Sequence, residues 1–259
     1  MSEFKVVIPA RMGSSRFYGK PLVPILGTAM VLRVVAQAVA ANADEVVVAT
    51  DHDEIMQVVQ AAGHTAQMTD AQHPSGTDRI AQVAIERNWA DDVIVVNVQG
   101  DEPAIAPELI RAVAQALHDD ADCVMATAAH RLHTTVDFFN PNMVKVVLDN
   151  QQRALYFSRA PMPYPRDWMR AHADKFPEQL PDDVPALRHM GIYAYRVGFL
   201  KRYGALPVSD LEQIESLEQL RVLAHGEQIS VYISAQAAAP GVDTPEDVAL
   251  VEAYLRKQV

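Results

Sequence analysis

Cysteine is almost missing from this 259-residue chain: Cys123 stands alone, so no disulfide can form within it, as suits a reducing cytoplasm. It lies in the apolar run Asp122-Cys123-Val124-Met125-Ala126 and reads as a small core side chain rather than a nucleophile. Positive charge is scarce as well. Against 33 Asp and Glu there are 22 Lys and Arg, a formal net charge of -11, which argues against wholesale binding of nucleic acid or of an anionic membrane. A local basic pocket for one nucleotide is still compatible with that balance. No apolar run is long enough to span a bilayer, and the N-terminal stretch, with Arg11 soon after a short strand, has no signal-peptide pattern. A cytoplasmic protein without membrane insertion is expected. Internal repeats and low-complexity tracts are absent, and no Ser/His/Asp or Cys/His arrangement can be inferred.

Two common phosphate motifs are lacking too. The dinucleotide pattern G-x-G-x-x-G does not occur. A Walker loop needs four residues between its glycines followed by Lys-Ser/Thr, but five lie between Gly13 and Gly19, and Pro21 stands where the magnesium-binding hydroxyl would be. NAD-dependent enzymes and P-loop NTPases both lose ground.

What is present is a soluble composition, 49% hydrophobic and 21% charged, in a chain long enough for one large domain or one domain with a lobe. Phe4-Lys5-Val6-Val7-Ile8 reads as a first buried strand, Met30 to Ala41 as a helix packed in the core, and Glu45 to Ala49 as a second buried strand. Asp53 to Ala62 reads as a helix with Asp53 as N-cap and Gly63 at its end. Thr65 to Met68 is a weaker strand, a helix runs from the turn 73–79 to Arg87, Asp92 to Val98 is the strongest strand, and Pro107 to His118 is helical. Such alternation implies parallel β-α-β units and an α/β fold. After about Asp119 the pattern changes to strands at Cys123–Ala128, Met143–Leu148, Ala154–Ser158 and His189–Arg196, with a Pro-rich excursion from Pro161 to Pro185. We expect a single α/β domain over 1–259 whose residues from roughly 120 to 235 form a smaller mixed-strand lobe for substrate or dimerisation. Ser209-Asp210-Leu211-Glu212 is a capping box opening a helix that stops near Gly226, and Ser230–Ile233 reads as a strand. Thr244-Pro245-Glu246-Asp247 starts the last helix, with Thr244 as N-cap.

Chemistry-bearing residues gather in four places. Arg11, Arg16 and Lys20 put three cations in a Gly-containing loop after the first strand, where open α/β sheets hold ligands, and phosphate is the leading anion. A solvated turn is the even alternative. Asn97-Val98-Gln99-Gly100-Asp101-Glu102-Pro103 leaves the strongest strand; Gly100 permits close ligand approach and Asp101 offers a hard oxygen for magnesium, or else simply bonds a local turn. Asp243 sits similarly before Thr244, and taken alone it is a turn residue. Ser75 and Gly76 in Ser75-Gly76-Thr77-Asp78-Arg79 could read a base edge or only cap a helix. His130 and His133 read as solvated, and Glu212, Glu215 and Glu218 as a wet helix face.

Ile8-Pro9-Ala10-Arg11, Gly19-Lys20-Pro21-Leu22, Ser75-Gly76-Thr77-Asp78-Arg79, Asn97 to Pro103, Asn140-Pro141-Asn142, Lys145-Val146-Val147-Leu148, Ala154 to Arg159, Arg188-His189 with Gly191-Ile192-Tyr193, Leu217 to Arg221, and Gly241 to Asp247 belong together. Running nearly end to end, this ensemble resembles the 3-deoxy-manno-octulosonate cytidylyltransferases, or CMP-Kdo synthetases. The first stretch is shared with other sugar nucleotidyltransferases and is weakly specific; the ensemble is strongly specific. One departure is Phe17-Tyr18, where the family usually has Leu-Pro. The resemblance implies a nucleotide-diphospho-sugar transferase-like, Rossmann-like fold with a mostly parallel sheet, a homodimer, and cytidylyl transfer from CTP to Kdo for lipopolysaccharide synthesis. It implies that Ala10, Arg11, Arg16 and Lys20 hold the nucleotide's phosphates, that Ser75 and Gly76 contact cytosine, and that Asp101 and Asp243 bind Mg2+. Gln99, His189 and Glu212 are then expected in the sugar pocket, with Lys20, Arg11, Asp101 and Asp243 as the catalytic group. A CMP-sialate or other sugar nucleotidyltransferase would differ in acceptor, and a non-catalytic nucleotide sensor of the same fold would bind without turnover.

Overall fold

β-branched runs alternate with helices carrying apolar stripes, and each stripe must be buried against the sheet that the runs form. The structure, a computed structural model, describes residues 3–13, 17–73 and 75–258. In chain order come β1 (Lys5–Ala10), β2 (Pro24–Ile25), β3 (Thr28–Ala29), α1 (Met30–Ala40), β4 (Glu45–Thr50) and α2 (Asp53–Ala61). Next are β5 (Thr65–Met68), α3 (Gly76–Glu86), β6 (Ile94–Asn97) and α4 (Pro107–Asp119). The second half holds β7 (Met125–Arg131), α5 (Thr135–Phe139), β8 (Lys145–Leu148), β9 (Ala154–Ser158), α6 (Arg166–Ala171) and β10 (Leu187–Arg196). It ends with α7 (Val197–Tyr203), α8 (Asp210–Glu215), α9 (Gln219–Ala224), β11 (Ile229–Ser234) and α10 (Asp247–Arg256).

The central sheet runs β11-β7-β10-β6-β1-β4-β5. β1 lies between β4 and β6 and is parallel to both, in register from Lys5↔Glu45 to Ala10↔Thr50. Alternate residues of β1 face opposite layers. Val6 and Ile8 join a core with Val31 and Val34 of α1 and Ile110 and Val113 of α4. Val7 joins a second core with Ile80 and Val83 of α3 and Phe199 and Tyr203 of α7. In α4 the buried residues Ile110, Val113, Ala114 and Leu117 fall at helical spacing, which explains why this stretch is a helix lying on the sheet.

β10 is antiparallel to β6 and β7, and β11 is parallel to β7, so three strands from the second half complete the central sheet. Of the strands in the range expected to form a smaller lobe, only β8 and β9 stand off the central path, as an antiparallel pair joined to the start of β10 through Leu187↔Val146 and Arg188↔Lys145; this pair with its connections is termed the lobe. The Pro-rich excursion contains α6 and closes a core of its own, with Met169, Leu180 and Val184 against Leu132 and Phe138.

Local details depart from expectation where side chains found better partners. His52, not Asp53, caps α2, because its imidazole accepts the Glu54 amide. The helix expected from Ser209 to Gly226 is two helices, broken at Ser216, whose φ of 53° is left-handed. The last helix begins at Asp247 rather than after Thr244. The Asp247 carboxylate collects the Asp243 and Thr244 amides and the Thr244 hydroxyl, which ties the preceding segment into a turn. Among the described residues no helix is long and apolar enough to cross a membrane.

Candidate functional site

Successive connections leave the sheet in opposite directions on either side of the β1–β6 seam, the arrangement that opens a crevice at the carboxyl ends of parallel strands. A cleft of about 680 Å³ lies there. One wall is the segment after β1, with Ala10, Arg11 and Lys20, and its floor is the loop after β6, with Gln99, Gly100 and Asp101. Gly100 is needed for a different contact from the one expected. A Cβ at this position would meet the Pro9 carbonyl oxygen at 2.6 Å, so the glycine admits the neighbouring strand rather than a ligand.

Lys20 sits in a 3-10 turn entered through Gly19, whose φ of 70° only glycine adopts without strain. The turn aims the ammonium at Asp101, to which Nζ donates at 2.7 Å, and at the Val242 carbonyl at 3.0 Å. Asp243 Oδ1 lies 3.8 Å from the same nitrogen. The Val242 amide donates to the Asp101 carbonyl at 2.9 Å, so the segment after β11 is stitched to the loop after β6. Two carboxylates 142 residues apart are thereby gathered round one cation. Arg11 is exposed on the same wall as Lys20, and Arg16 lies outside the described residues.

Gly76 lines the cleft. The Ser75 hydroxyl donates to the Asp78 carboxylate at 2.6 Å and accepts the Asp78 amide at 3.2 Å, so it caps α3. Gln99 lines the cleft. His189 instead faces a neighbouring cavity of about 490 Å³, which shares Glu102 and Gly191 with the cleft. Its ring is bonded to the Thr127 hydroxyl at 3.0 Å. Glu212 is turned away and buried, held by both nitrogens of Arg221 at 2.7 and 2.5 Å. The supposedly wet acidic face is thus divided: Glu212 is paired, Glu215 accepts from Ser158, and Glu218 is exposed at the cleft. His130 is likewise buried rather than solvated, with Nε2 unpartnered.

Sequence reasoning missed the polar wall opposite Lys20. Tyr193 and Tyr195 come from β10 and Gln219 from the first turn of α9. The Tyr193 hydroxyl donates to Gln219 Oε1 at 3.4 Å, which leaves Gln219 Nε2 buried without a partner. Asn97 Oδ1, also on the cleft, is a buried acceptor without a partner. Unpaired buried amides cost free energy unless a ligand or water completes them, so these two point to polar recognition. The i, i+2 spacing of Tyr193 and Tyr195 on one strand face was the signal available.

A family profile described as cytidylyltransferase matches residues 5–229. The chain belongs to the cytidylyltransferase family. It is 54% identical over 256 residues to the 3-deoxy-manno-octulosonate cytidylyltransferases of Neisseria meningitidis serogroup A / serotype 4A and of Neisseria gonorrhoeae strain NCCP11945, with 99% of each chain covered. A solved CMP:2-keto-3-deoxy-manno-octonic acid synthetase complexed with CTP superposes with a TM-score of 0.88 at 43% identity over the whole of both chains. A cytidylyltransferase from Leptospira borgpetersenii serovar Hardjo-bovis, at 15% identity and a TM-score of 0.62, covers 99% of this chain and 88% of its own and shares the fold. The expected nucleotide-diphospho-sugar transferase architecture therefore holds for this cytidylyltransferase.

Electrostatics in this cytidylyltransferase follow from burial. Glu102 is pushed up to about 7 by desolvation and by Asp101 beside it, with Arg188 opposing. His189 is pushed down to about 3 by burial, helped by Arg188, and is neutral. Among the described residues no cluster of three or more His, Cys, Asp or Glu forms a metal cage. Asp101 and Asp243 are nonetheless a hard-oxygen pair already gathered about a positive charge, which fits Mg2+, an ion commonly held by one or two carboxylates together with phosphate oxygens.

Proposed function

We propose that this protein transfers a cytidylyl group from CTP to Kdo, giving CMP-Kdo and pyrophosphate. The observation that carries the reading is the convergence of Asp101 and Asp243 on Lys20 at a cleft that Arg11, Lys20 and Asp101 line, in a chain whose relatives carry that activity in their names. In the reaction the anomeric oxygen of Kdo bonds to the α-phosphorus, the α–β phosphoanhydride bond breaks, and pyrophosphate leaves as the hydroxyl proton is released. Both reactants are anions, so the chain's task is to neutralise charge and align the two groups.

Arg11, Arg16 and Lys20 hold the triphosphate, with Ala10 supporting it, while Gly76 lets the base approach the start of α3 and Ser75 fixes that helix end. Gln99, Tyr193 and Gln219 offer hydroxyl-matching donors and acceptors to the sugar, and His189, neutral and held by Thr127, flanks them from the second cavity. Glu212 supports this wall through Arg221 instead of touching sugar. Asp101 and Asp243 would hold Mg2+, which when bound supplies positive charge to the phosphate and acidifies the attacking hydroxyl. Lys20 balances the same carboxylates and prevents their mutual repulsion. We assign the protein to the cytoplasm and to lipopolysaccharide synthesis, and expect a homodimer.

Pyrophosphate release with CTP and Kdo, measured with and without magnesium, tests the proposal. Magnesium-dependent release, with turnover at least about 100-fold lower in Asp101→Asn, is expected. Binding of CTP without turnover, or a preference for another acid sugar, would overturn it.

A further inference from the structure

The corner between α8 and α9 carries Gln219 of the cleft's polar wall; the Glu212–Arg221 pair ties the two helices together, but these two side chains bond each other rather than the turn at Ser216. Ser216 has φ 53° and ψ 52°, a left-handed conformation that residues other than glycine adopt only when surrounding structure enforces it. Enforcement comes from the lobe. Arg159, immediately after β9, donates from Nε to the Glu215 carbonyl at 2.7 Å and from Nη2 toward the Ser216 carbonyl at 3.5 Å, while Nη1 reaches the Pro141 carbonyl at 3.1 Å. Glu215 answers in the opposite direction. Its carboxylate accepts the Ser158 hydroxyl at 2.6 Å and the Arg159 amide at 3.0 Å. Behind this lacing, Lys145 is fully buried and donates to the carbonyls of Arg159 at 2.7 Å and Asn140 at 2.9 Å, so the anchor is rooted in β8.

The corner's far side is the cleft. Gln219, three residues after Ser216, presents a buried Nε2 with no partner and fixes the Tyr193 hydroxyl through Oε1. A small rotation at Ser216 would move Gln219 relative to Tyr193, which β10 holds independently. Arg11 and Lys20 line the cleft from the segment after β1, and the side chains of Arg159 and Glu215 bond to Pro141, Ser158, Ser216 and each other's backbone, not to that segment. We propose that Arg159 and Glu215 are positioning residues that set the acceptor-facing wall of the cleft and leave the nucleotide-facing wall alone. This rests on the reading of the cleft as a site for CTP and an acid sugar.

The test is initial-rate pyrophosphate release by Arg159→Met, Arg159→Lys and Glu215→Gln, with CTP and Kdo varied separately and thermal melting recorded alongside. KM for Kdo is expected to rise at least about tenfold in all three, since sub-ångström misplacement carries costs of that size, while KM for CTP stays within about twofold. Arg159→Lys keeps the charge but not the fork to several carbonyls, so full rescue by lysine would overturn the proposal. Equal losses for both substrates, or an unchanged KM for Kdo in Glu215→Gln, would overturn it as well. Should Arg159→Met fail to fold, Glu215→Gln and Arg159→Lys decide. A wild type that releases no pyrophosphate with Kdo overturns the function and this proposal with it. A wild type that does, beside variants without the Kdo-selective loss, overturns the positioning alone.

Discussion

Replacing Gly100 by alanine should damage both stability and catalysis, because the added methyl group meets backbone rather than a yielding side chain. The new Cβ would lie 2.6 Å from the Pro9 carbonyl oxygen, 3.7 Å from its carbon and 3.9 Å from the Ala10 Cα. Ordinary contact begins near 3.4 Å, so something must move by about 0.8 Å. β1 cannot supply that movement, since Lys5–Ala10 is paired with β4 along its whole length and with β6 on its other side. The loop after β6 must shift instead, carrying Gln99 and Asp101 with it. Asp101 is bonded to Lys20 at 2.7 Å and, through its carbonyl, to the Val242 amide at 2.9 Å, so the displacement strains both connections. Overpacking of this kind costs about 1–3 kcal/mol, or roughly 3–10 °C in Tm for a domain of this size. A misplacement approaching 1 Å in the carboxylate should lower kcat/KM by about 10- to 100-fold. Differential scanning calorimetry and a coupled pyrophosphate assay measure the two effects. Wild-type Tm together with wild-type kcat/KM would refute the claim that the β1–β6 seam is rigid and positions Asp101.

Three further outcomes follow from buried groups elsewhere. Arg79 is almost wholly buried and bonded to Asp51 at 2.9 Å and to the Thr69 hydroxyl, so Arg79→Met should cost about 3–5 kcal/mol in urea unfolding by leaving Asp51 unpaired. His189, held near 3 against about 6.5 when unfolded, contributes no penalty above pH 6.5, and stability should fall as pH drops from 6.5 toward 3. By pH 5 the loss is about 2 kcal/mol, and His189→Asn should remove that share of the pH dependence. An equal slope in the variant would contradict the burial argument. Cys123, pushed up to about 12 by burial and by its bond to Asp120, should resist alkylation of the folded protein at pH 8, as read by mass spectrometry.

Most of the architecture was legible because its signals are local. β1, β4 and β6 are buried runs, and α1, α2 and α4 carry stripes, so their places needed no tertiary information, while the edge strand β5, with no buried residue, gave only a weak signal. The convergence of Lys20 with Asp101 was foreseeable from strand ends alone, since both follow neighbouring parallel strands. Asp243 was harder: an irregular segment separates it from β11, and the Val242–Asp101 backbone bond that brings it in has no sequence signature. Glu212 was misread because capping-box spacing says nothing of Arg221, nine residues on, which takes its carboxylate. The break at Ser216 escaped notice for a related reason. A serine gives no warning of a left-handed turn when the arginine that enforces it lies 57 positions away.

β10 has a consequence for motion. Its ten residues pair with β8 at Leu187 and Arg188, with β7 along both halves, and with β6 from Tyr193 to Arg196. The strand therefore belongs to the lobe at one end and to the cleft at the other, with a bulge between Met190 and Tyr193 as its one irregular point. A lobe hung on a flexible linker could swing without disturbing the site. Here any swing must either bend one continuous ladder at that bulge or carry Tyr193 and Tyr195 along with it. Amide exchange should register this as a shared opening: the lobe half and the cleft half of β10 should lose protection together, and later than the loops that connect them to the rest of the chain.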